Sequence, residues 1–451
     1  MRSIYIAIAL SFIVLALILP TPEGLNRQGL IMISILLMAA FLWITEAIPL
    51  AATGLLIMAL QPLLGIADAK EVFSSFGNKA IFFILASFMI SASIEKYGLH
   101  KRLALKFLKI FGKNPYVFIF GIMFSGAILS FIMQEHGVAA LLLPILLHIL
   151  ILTKAKPKKS NFGIATMLAL TYGTSIGSWG TLLGGARNPL TIAFLDEIGY
   201  ELSFLSWMKF SLPIVFISIP LVTFIILRFF PPEIKNIEDA IREIEKETFQ
   251  KLGKNEKMLI LVISITIISW IFFSDLFGIA VIALLSVISL FLLGLISWED
   301  IEKRVQWGII LVYGGAITMG KSLEATQATQ WLVSKIISIF GNNEYAVLAC
   351  IIVMTFLLTN FMSNTAAVAV MLPISIRAAY QVNLSPVIAA MATAIAGGAA
   401  FIFIIATPGM AIAYSSGYLT QKHMVKAGLI AGIACLILIF MIAIIYWPLI
   451  I

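Results

Sequence analysis

Two segments of this chain look like copies of each other, and they constrain its fold more than any other feature. The first is Phe131-Ile-Met-Gln-Glu-His-Gly-Val-Ala-Ala-Leu-Leu-Leu-Pro144 and the second is Asn360-Phe-Met-Ser-Asn-Thr-Ala-Ala-Val-Ala-Val-Met-Leu-Pro373. Each contains a polar triplet inside an apolar run that ends in Leu-Pro. Each is followed by an apolar stretch that glycine or proline interrupts, at 180–189 and at 406–410. Paired broken hydrophobic segments at matching places in two halves are typical of the substrate site of a secondary transporter.

The composition fixes the broad class. Of the 451 residues, 61% are hydrophobic and only 12% are charged, which is more apolar surface than a soluble protein of this length can bury. Apolar runs of about 20 residues, each long enough to cross the hydrocarbon core of a bilayer, recur along the chain. We therefore predict an all-α polytopic protein of the cell membrane, with about 11 transmembrane helices and two re-entrant hairpins.

The distribution of basic residues gives the orientation. Lysines and arginines concentrate in the connections at 96–113, 154–159, 228–257, 303–304 and 422–426. The positive-inside rule predicts that these connections are cytoplasmic, so the net charge of +8 does not indicate a nucleic-acid partner. Both ends of the first hairpin are then cytoplasmic, whereas the second hairpin opens to the outside. The two halves therefore have opposite topology, as an inverted repeat requires.

The same patterns divide the chain. The predicted divisions are a first inverted-repeat half at 1–230, a cytoplasmic linker helix at 231–257 and a second half at 258–451. The predicted broken elements are re-entrant hairpins at 115–152 and 345–380 and broken spans at 162–195 and 386–416. Amphipathic helices are also predicted near 99–111 and 325–340.

The polar triplet of the second half predicts a binding site. Non-helical backbone at membrane depth is tolerated only where it is buried in protein or lines a cavity, and half-helix N-termini there favour anions. Carbonyl and Ser/Thr/Asn oxygens suit a small cation. Ser363-Asn364-Thr365 and the break at Ala406-Thr407-Pro408 supply both kinds of group. They predict an anion site beside a sodium site, although small polar residues also join helices in membranes without binding a ligand.

At these residues the chain resembles the divalent anion:sodium symporter family, which comprises dicarboxylate, citrate and sulfate carriers. Met362-Ser-Asn-Thr365 matches the hairpin-tip motif of that family, and Ala406-Thr-Pro408 with 414–428 resembles its tenth span and exit. Trp43-Ile-Thr-Glu-Ala-Ile-Pro49 looks like its early signature, and 82–105 is similar to its fourth span and cytoplasmic arm helix. The resemblance covers nearly the whole chain.

The resemblance implies a homodimer in which a transport domain moves against a scaffold domain in an elevator-like manner. It implies that Ser363, Asn364 and Thr365 meet a carboxylate of a small anionic substrate. It also implies that Asn364 and the backbone near Ala406 help to hold Na+. Sodium is then the expected coupling ion, the lipid bilayer is the expected surrounding, and no organic cofactor is expected.

The first half departs from the family pattern. The family has a second Ser-Asn-Thr at the first hairpin tip, where this chain has Gln134-Glu135-His136, and its matching break reads Gly-Ser/Thr-Pro-Pro-Asn, where this chain has 184–188. Ser130 stands where the family has a sodium-ligand serine. The predicted substrate-binding residues are Ser363, Asn364, Thr365, Thr407, Pro408, Gln134, Glu135, His136, Arg187 and Asn188. The predicted sodium ligands are Asn364, Ala406, Ser130 and Gly184.

Glu135 and Arg187 are charges at the predicted centre of the membrane, where charges are costly and usually paired. The sequence predicts that the two side chains pair. The pair either only ties the hairpin to the broken span, or Arg187 acts as a fixed cation in place of the first sodium or contacts the anion. His136, whose reference pKa is about 6.5, is either a hydrogen-bonded neighbour of Glu135 or a proton relay.

The predicted function is a secondary active transporter that moves a small divalent anion, such as a dicarboxylate or sulfate. Coupling to sodium is predicted, with an altered first cation site. The alternative is a proton-coupled or exchange carrier of another anion, such as a metalloid oxyanion. An enzyme is not predicted, because the sequence has no His-Glu-x-x-His zinc motif and no pair of aspartates inside a predicted span. The identity of the anion and the number of coupled ions stay open at this point.

Overall fold

The computed structural model describes residues 2–112, 114–246 and 252–451. Throughout these ranges the regular secondary structure is helical, which confirms the all-α prediction. The helices up to the linker are α1 (Arg2–Ile18), α2 (Arg27–Thr45), α3 (Leu50–Leu63), α4 (Ala69–Ser74), α5 (Lys79–Lys96), α6 (Leu99–Phe111), α7 (Pro115–Leu129), α8 (Glu135–Leu152), α9 (Asn161–Gly177), α10 (Arg187–Glu197) and α11 (Phe204–Phe229).

The remaining helices complete the chain. They are α12 (Glu238–Lys246), α13 (Lys254–Phe277), α14 (Ile279–Leu292), α15 (Trp298–Arg304), α16 (Trp307–Ala325), α17 (Ala328–Phe340), α18 (Glu344–Phe361), α19 (Asn364–Gln381), α20 (Pro386–Ala396), α21 (Pro408–Ser415) and α22 (Gln421–Ile445). The predicted amphipathic helices near 99–111 and 325–340 correspond to α6 and α17.

Several helices are long and apolar enough to cross a membrane. Within the described ranges there are 6 of them: α2, α8, α11, α13, α18 and α22. The segment 69–77 and α5, which are bent by 45° at the break between them, would raise the number to 7 if they form one span. Shorter apolar helices are α1, α3, α7, α14 and α20. The chain is therefore a multi-pass membrane protein by length and composition, and the number of about 11 spans stays a prediction.

The two halves pack against each other reciprocally. Helix α3 of the first half packs along α16 of the second half, and α5 of the first half packs along α14 of the second half. The same reciprocal pairing recurs deeper in the protein, where α8 contacts α21 and α10 contacts α19. This arrangement is what an inverted repeat would produce, although the boundaries of the two halves stay a prediction.

Glycines allow the main helices to approach closely. A Cβ atom on Gly54 of α3 would lie 2.6 Å from the carbonyl oxygen of Leu311 in α16. In the first half, a Cβ on Gly177 of α9 would lie 2.2 Å from the Cα atom of Ala127 in α7. Small residues at such crossings let helix backbones touch inside a membrane. The contact between α7 and α9 fixes the first hairpin against the broken span that follows it.

Each predicted hairpin is a pair of helices joined by a short turn. The turn between α7 and α8 covers 130–134, and the turn between α18 and α19 covers 362–363. The broken spans are α9 with α10 and α20 with α21.

The non-helical breaks begin earlier than the sequence predicts. They cover 178–186 and 397–407 rather than 184–188 and 406–410. Pro189 and Pro408 lie in the first turns of the helices that follow, where proline is tolerated because no hydrogen-bond donor is needed there.

The linker is the clearest difference from the predicted elements. The sequence predicts one helix over 231–257, but the chain is not helical before Glu238. Residues 247–251 lie outside the described part of the chain. Glu233 instead caps α9, where its carboxylate accepts a hydrogen bond of 2.9 Å from the backbone N–H of Phe162. The linker therefore begins as an anchor for the first broken span.

Candidate functional site

The two hairpin tips meet inside the protein. The side-chain Nδ2 of Asn364 lies 3.3 Å from Oε1 of Glu135 and donates a hydrogen bond to it. Glu135 and Asn364 are the first residues of α8 and α19, and both are buried, with exposed fractions of 6% and 7%. The residues before them, Gln134 and Ser363, have nearly the same backbone angles, with φ of −60° for both and ψ of 138° and 144°. The N-terminal ends of two half-helices therefore come together.

Arg187 connects this meeting point to both broken spans. Its Nη1 atom lies 3.8 Å from Oε2 of Glu135, so the pairing expected from the sequence is present in the structure. Its Nη2 atom donates to Oγ of Ser178 at 2.6 Å, and its Nε atom donates to the carbonyl oxygen of Ala394 at 3.1 Å. Arg187 is also the first residue of α10, where the helix dipole opposes a positive charge. A buried cation kept in that position is a candidate functional group.

A glycine in the second break makes room for the guanidinium. A Cβ atom on Gly398 would lie 2.3 Å from Nη2 of Arg187 and 2.3 Å from Nε1 of Trp179. The indole N–H of Trp179 is fully buried, and no acceptor for it lies among the described residues. Sequence reasoning missed both residues, because a tryptophan and a glycine in an apolar stretch resemble ordinary span residues. They surround the buried cation at the point where the two breaks meet.

Oxygen atoms cluster beside Asn364 in the second half. The hydroxyl of Thr359 lies 2.9 Å from Oδ1 of Asn364 and 2.5 Å from the carbonyl oxygen of Gly397. A side-chain amide, a hydroxyl and an unwound backbone carbonyl are the ligands that transporters use for sodium. The break residue in this cluster is Gly397. The predicted ligand Ala406 ends a short 3-10 turn, Ile404–Ala406, and its role stays a prediction.

Thr359 was not among the predicted site residues, although a signal for it exists in the sequence. It precedes Ser363 by the same number of residues as Ser130 precedes Gln134, and Ser130 was predicted as a sodium ligand. The hydroxyl of Ser130 is buried, with no hydrogen-bond partner among the described residues. Thr359 is therefore the residue of the second half that corresponds to Ser130 in the internal repeat.

Most polar groups of the first hairpin tip form hydrogen bonds with other residues of the protein. Nε2 of Gln134 donates to the carbonyl oxygen of Leu183 at 2.9 Å, and the backbone N–H of Glu135 donates to the carbonyl oxygen of Gly184 at 3.0 Å. The predicted sodium ligand Gly184 thus already accepts a hydrogen bond. His136 contacts the side chain of Gln306 through its Nε2 atom. This geometry favours the reading of His136 as a hydrogen-bonded residue between α8 and the segment before α16.

Three further predicted residues shape the breaks. Asn188 donates from its amide nitrogen to the carbonyl oxygens of Ser178 and Thr181, both at 2.7 Å, which braces the first break. Thr407 caps α21, because its hydroxyl accepts a hydrogen bond of 3.0 Å from the backbone N–H of Met410, and Pro408 follows as the first residue of that helix. These contacts give the three residues structural roles, and contact with a substrate stays a prediction for each.

The helix ends at the meeting point favour an anion. Each helix N-terminus carries about half a positive charge, and α8, α10 and α19 all begin there, whereas the C-terminal end of α20 next to Gly397 opposes them. The full charges of Glu135 and Arg187 oppose each other at 3.8 Å. A sodium ion bound at Thr359, Asn364 and Gly397 would add one positive charge. An arrangement of this kind can bind a small dianion.

Ion pairs of two lysines connect the C-terminal end of α10 to two neighbouring helices. We name the set Lys79, Lys321, Asp196, Glu197 and Glu201 the lysine latch. Nζ of Lys79 in α5 lies 3.1 Å from Asp196 and 2.8 Å from Glu201, and Nζ of Lys321 in α16 lies 2.9 Å from Glu197. The hydrogen bond from Lys79 lowers the pKa of the Glu201 carboxyl in the loop after α10. The latch therefore joins α10, the second helix of the first broken span, to α5 and α16.

Two helix N-termini and two broken helix pairs that converge on one buried polar cluster, in a chain with several apolar helices, are typical of an integral membrane carrier. The comparisons with known proteins identify which kind. The chain matches the sodium:sulfate symporter transmembrane region family over residues 1–451, and it belongs to that family. It is therefore a transporter and not an enzyme.

Individual relatives are similar over most of their length. An uncharacterized transporter of Haemophilus influenzae is 28% identical over 98% of this chain and 96% of its own length. The sodium-dependent dicarboxylate transporter SdcS of Staphylococcus saprophyticus is 28% identical over 95% of this chain and 88% of its own length. Among solved structures, the YdaH transporter of Alcanivorax borkumensis aligns with a TM-score of 0.59 over 94% of this chain and 100% of its own, at 13% identity. That likeness concerns the fold alone.

Proposed function

We propose that this protein is a sodium-coupled carrier of a small divalent anion, such as a dicarboxylate or sulfate, in the cell membrane. The observation that carries the proposal is the convergence of the two hairpin tips, joined by the hydrogen bond between Asn364 and Glu135. The anion would bind where α8 and α19 begin, because the backbone N–H groups of a helix N-terminus and the helix dipole favour negative charge there. Ser363 and Thr365 flank Asn364 and would add hydroxyl donors.

Sodium would bind next to the anion. Thr359, Asn364 and Gly397 supply a hydroxyl, an amide oxygen and a carbonyl within hydrogen-bonding distance of one another. The bound ion would add a full positive charge beside the N-terminal ends of α8 and α19, which favours a dianion over a monoanion. The shared residue Asn364, which contacts Glu135 through one end of its amide and Thr359 through the other, would couple the two binding events.

The first half would not bind a sodium ion at the position that corresponds to the second-half sodium site. Glu135 occupies the position at which the resemblance implies an amide or hydroxyl ligand, and Arg187 lies 3.8 Å from it as a permanent cation. We propose that Arg187 replaces the first sodium ion, so that this carrier moves fewer sodium ions per anion than a carrier with two sodium sites. Ser130 and Gly184 would then not bind a cation.

A proton-coupled or exchange carrier is the second candidate, and one observation favours it. Oε2 of Glu135 is buried, and no hydrogen-bond donor to it lies among the described residues. If Arg187 turned toward the substrate, Glu135 would lose its counter-charge inside the protein and would take up a proton. Transport would then be driven by a proton gradient.

We further propose an elevator-type homodimer. In this scheme the hairpins and broken spans move as a transport domain, and α3, α5, α14 and α16 belong to the scaffold. The lysine latch supports the scheme, because its ion pairs cross from α10 to α5 and α16 and would have to break during such a movement. The pairs are partly exposed, so their cost of opening is small.

Uptake into proteoliposomes tests the proposal. Labelled succinate, sulfate and arsenite would be offered under an inward sodium gradient, under an inward proton gradient, and under neither. We expect accumulation of a dianion under the sodium gradient alone, and no accumulation by the Asn364→Ala variant. Accumulation driven by protons without sodium would support the second candidate instead. Uptake restricted to arsenite would contradict the proposed substrate class.

A further inference from the structure

An apolar cavity of about 780 Å³ lies between the arm helix α6, the hairpin helix α8 and the span α13. Its lining includes Leu105 and Leu108 from α6, Ile145 and Ile149 from α8, and Ile263 from α13. These residues are separate from the polar cluster where the hairpin tips meet. The volume falls in the usual range of ligand pockets, and an apolar lining of this kind favours hydrocarbon over water.

Basic side chains of α6 border the same cavity. Arg102, Lys106 and Lys109 are among its lining residues, and their spacing puts all three on one face of the helix. Nε of Arg102 lies 3.0 Å from Oε1 of Glu256, which ties α6 to the first turn of α13. The positive-inside rule predicts that this end of the cavity faces the cytoplasm. The cavity therefore combines an apolar interior with a positive edge at a membrane surface.

We propose that this cavity binds an acidic phospholipid of the cytoplasmic leaflet. One acyl chain lies in the apolar interior, and the headgroup phosphate contacts Lys106 and Lys109. Basic pockets between membrane helices on the cytoplasmic side favour anionic headgroups, and lysine side chains reach the headgroup level by extending their apolar stems along the helix. A zwitterionic lipid carries the same phosphate, but its choline group offsets the charge, so it binds more weakly.

The position of the cavity links the lipid to the transport site. Ile132, in the turn of the first hairpin two residues before Gln134, also lines it. A lipid bound there contacts α6, α8 and α13 at once, and therefore holds the hairpin that carries Glu135 against the span α13. Acidic lipid is therefore expected to stabilise the packing of the first hairpin against α6 and α13, whichever anion or coupling ion the carrier uses.

Binding of two lipids with identical acyl chains tests the proposal. The purified full chain in detergent would be titrated with phosphatidylglycerol and with phosphatidylcholine, and bound lipid would be counted by native mass spectrometry. We expect tighter binding of phosphatidylglycerol. The double variant Lys106→Gln, Lys109→Gln is expected to lose about fivefold in phosphatidylglycerol affinity for each lysine, with little change for phosphatidylcholine. Lys159→Gln, an exposed lysine in another basic loop, is the matched control and is expected to bind like the wild type.

A second variant separates the acyl-chain part of the site from the headgroup part. Ser264 is an exposed residue of α13 that lines the cavity. Ser264→Phe would fill the interior and is expected to weaken both lipids. Equal binding of the two lipids, or an unchanged preference in the double lysine variant, would overturn the proposal. Cross-linking of Ser264→Cys to a second copy, in a chain whose native cysteines are replaced by alanine, would also overturn it, because the occupant would then be protein.

Discussion

Glu135 and Asn364 share a hydrogen bond of 3.3 Å although they lie 229 residues apart. Both residues begin a helix after a short turn, so the bond joins the positive ends of two helix dipoles. The carboxylate of Glu135 lies where an anion would meet the second tip. A substrate carboxylate would therefore compete with Glu135 for the amide of Asn364.

Removal of the Asn364 side chain is expected to abolish sodium-dependent uptake. The substitution Asn364→Ala deletes both the amide oxygen near Thr359 and the amide nitrogen near Glu135. Ser363→Ala and Thr365→Ala each remove one hydroxyl, which costs about 1.5–3 kcal/mol for a hydrogen bond to a charged group, or about tenfold to a hundredfold in anion affinity. Initial uptake rates in proteoliposomes measure both effects. Asn342→Ala in an exposed turn is the control, and wild-type uptake by Asn364→Ala would refute the assignment of the second-half site.

Thr359 is expected to control sodium affinity rather than anion affinity. Thr359→Val keeps the shape of the side chain but removes the oxygen between Asn364 and Gly397. We expect the sodium concentration for half-maximal uptake to rise about tenfold or more, because a ligand to a cation is lost. Thr359→Ser retains the oxygen and should resemble the wild type. If Thr359→Val lowered only the affinity for the anion at saturating sodium, the proposed cation ligand set would be wrong.

Gly398 is expected to tolerate no side chain. The Cβ of Gly398→Ala would lie 2.3 Å from both the Arg187 guanidinium and the Trp179 indole nitrogen, so the arginine must move. We expect the variant to lose transport as Arg187→Gln does, and the double variant to be no worse than either single variant. Gly77→Ala, where an added Cβ meets nothing within 4 Å, is the control. Near wild-type transport by Gly398→Ala would mean that the position of Arg187 is unimportant.

The Glu135–Arg187 pair is expected to behave as a unit. Arg187→Ala leaves Glu135 buried without its counter-charge, which costs more than removing both charges. Arg187→Ala should therefore transport less than the Glu135→Gln, Arg187→Gln double variant, and wild-type uptake should be insensitive to an imposed proton gradient. A different result, in which Glu135→Gln alone removes a dependence on the proton gradient, would identify Glu135 as a proton carrier and contradict the fixed-cation role of Arg187.

The parts of this fold that the sequence predicts are those set by local pattern. The helix α6 begins and ends at the bounds that the amphipathic pattern near 99–111 predicts. The meeting of the two tips is predictable because a polar triplet inside an apolar run cannot face lipid. The mixed charges of 231–257 suggested one long linker helix, but the start of this segment is not helical, and Glu233 instead bonds to the N-terminus of α9.

The finer details of the site depend on contacts between distant parts of the chain. Gly398 is unremarkable in the sequence, and its role follows only from Arg187 and Trp179 on the other broken span. The breaks begin at 178 and 397, next to glycines whose added Cβ would lie 2.2 Å from Ala127 and 2.3 Å from Val368, and no local pattern reveals these contacts. Thr359 and Ser130 could have been found together, since the internal repeat relates them, but a lone threonine in an apolar helix carries little signal.

The number of sodium ions carried with each anion distinguishes one sodium site from two. Labelled sodium and labelled dianion would be followed together in proteoliposomes, and the ratio of their initial uptake rates would be taken. We expect one sodium ion per dianion in the wild type, because in the proposed mechanism Arg187 supplies the positive charge of the first cation site and Thr359, Asn364 and Gly397 hold one coupled ion. A ratio of two sodium ions per dianion that Arg187→Gln leaves unchanged would contradict it.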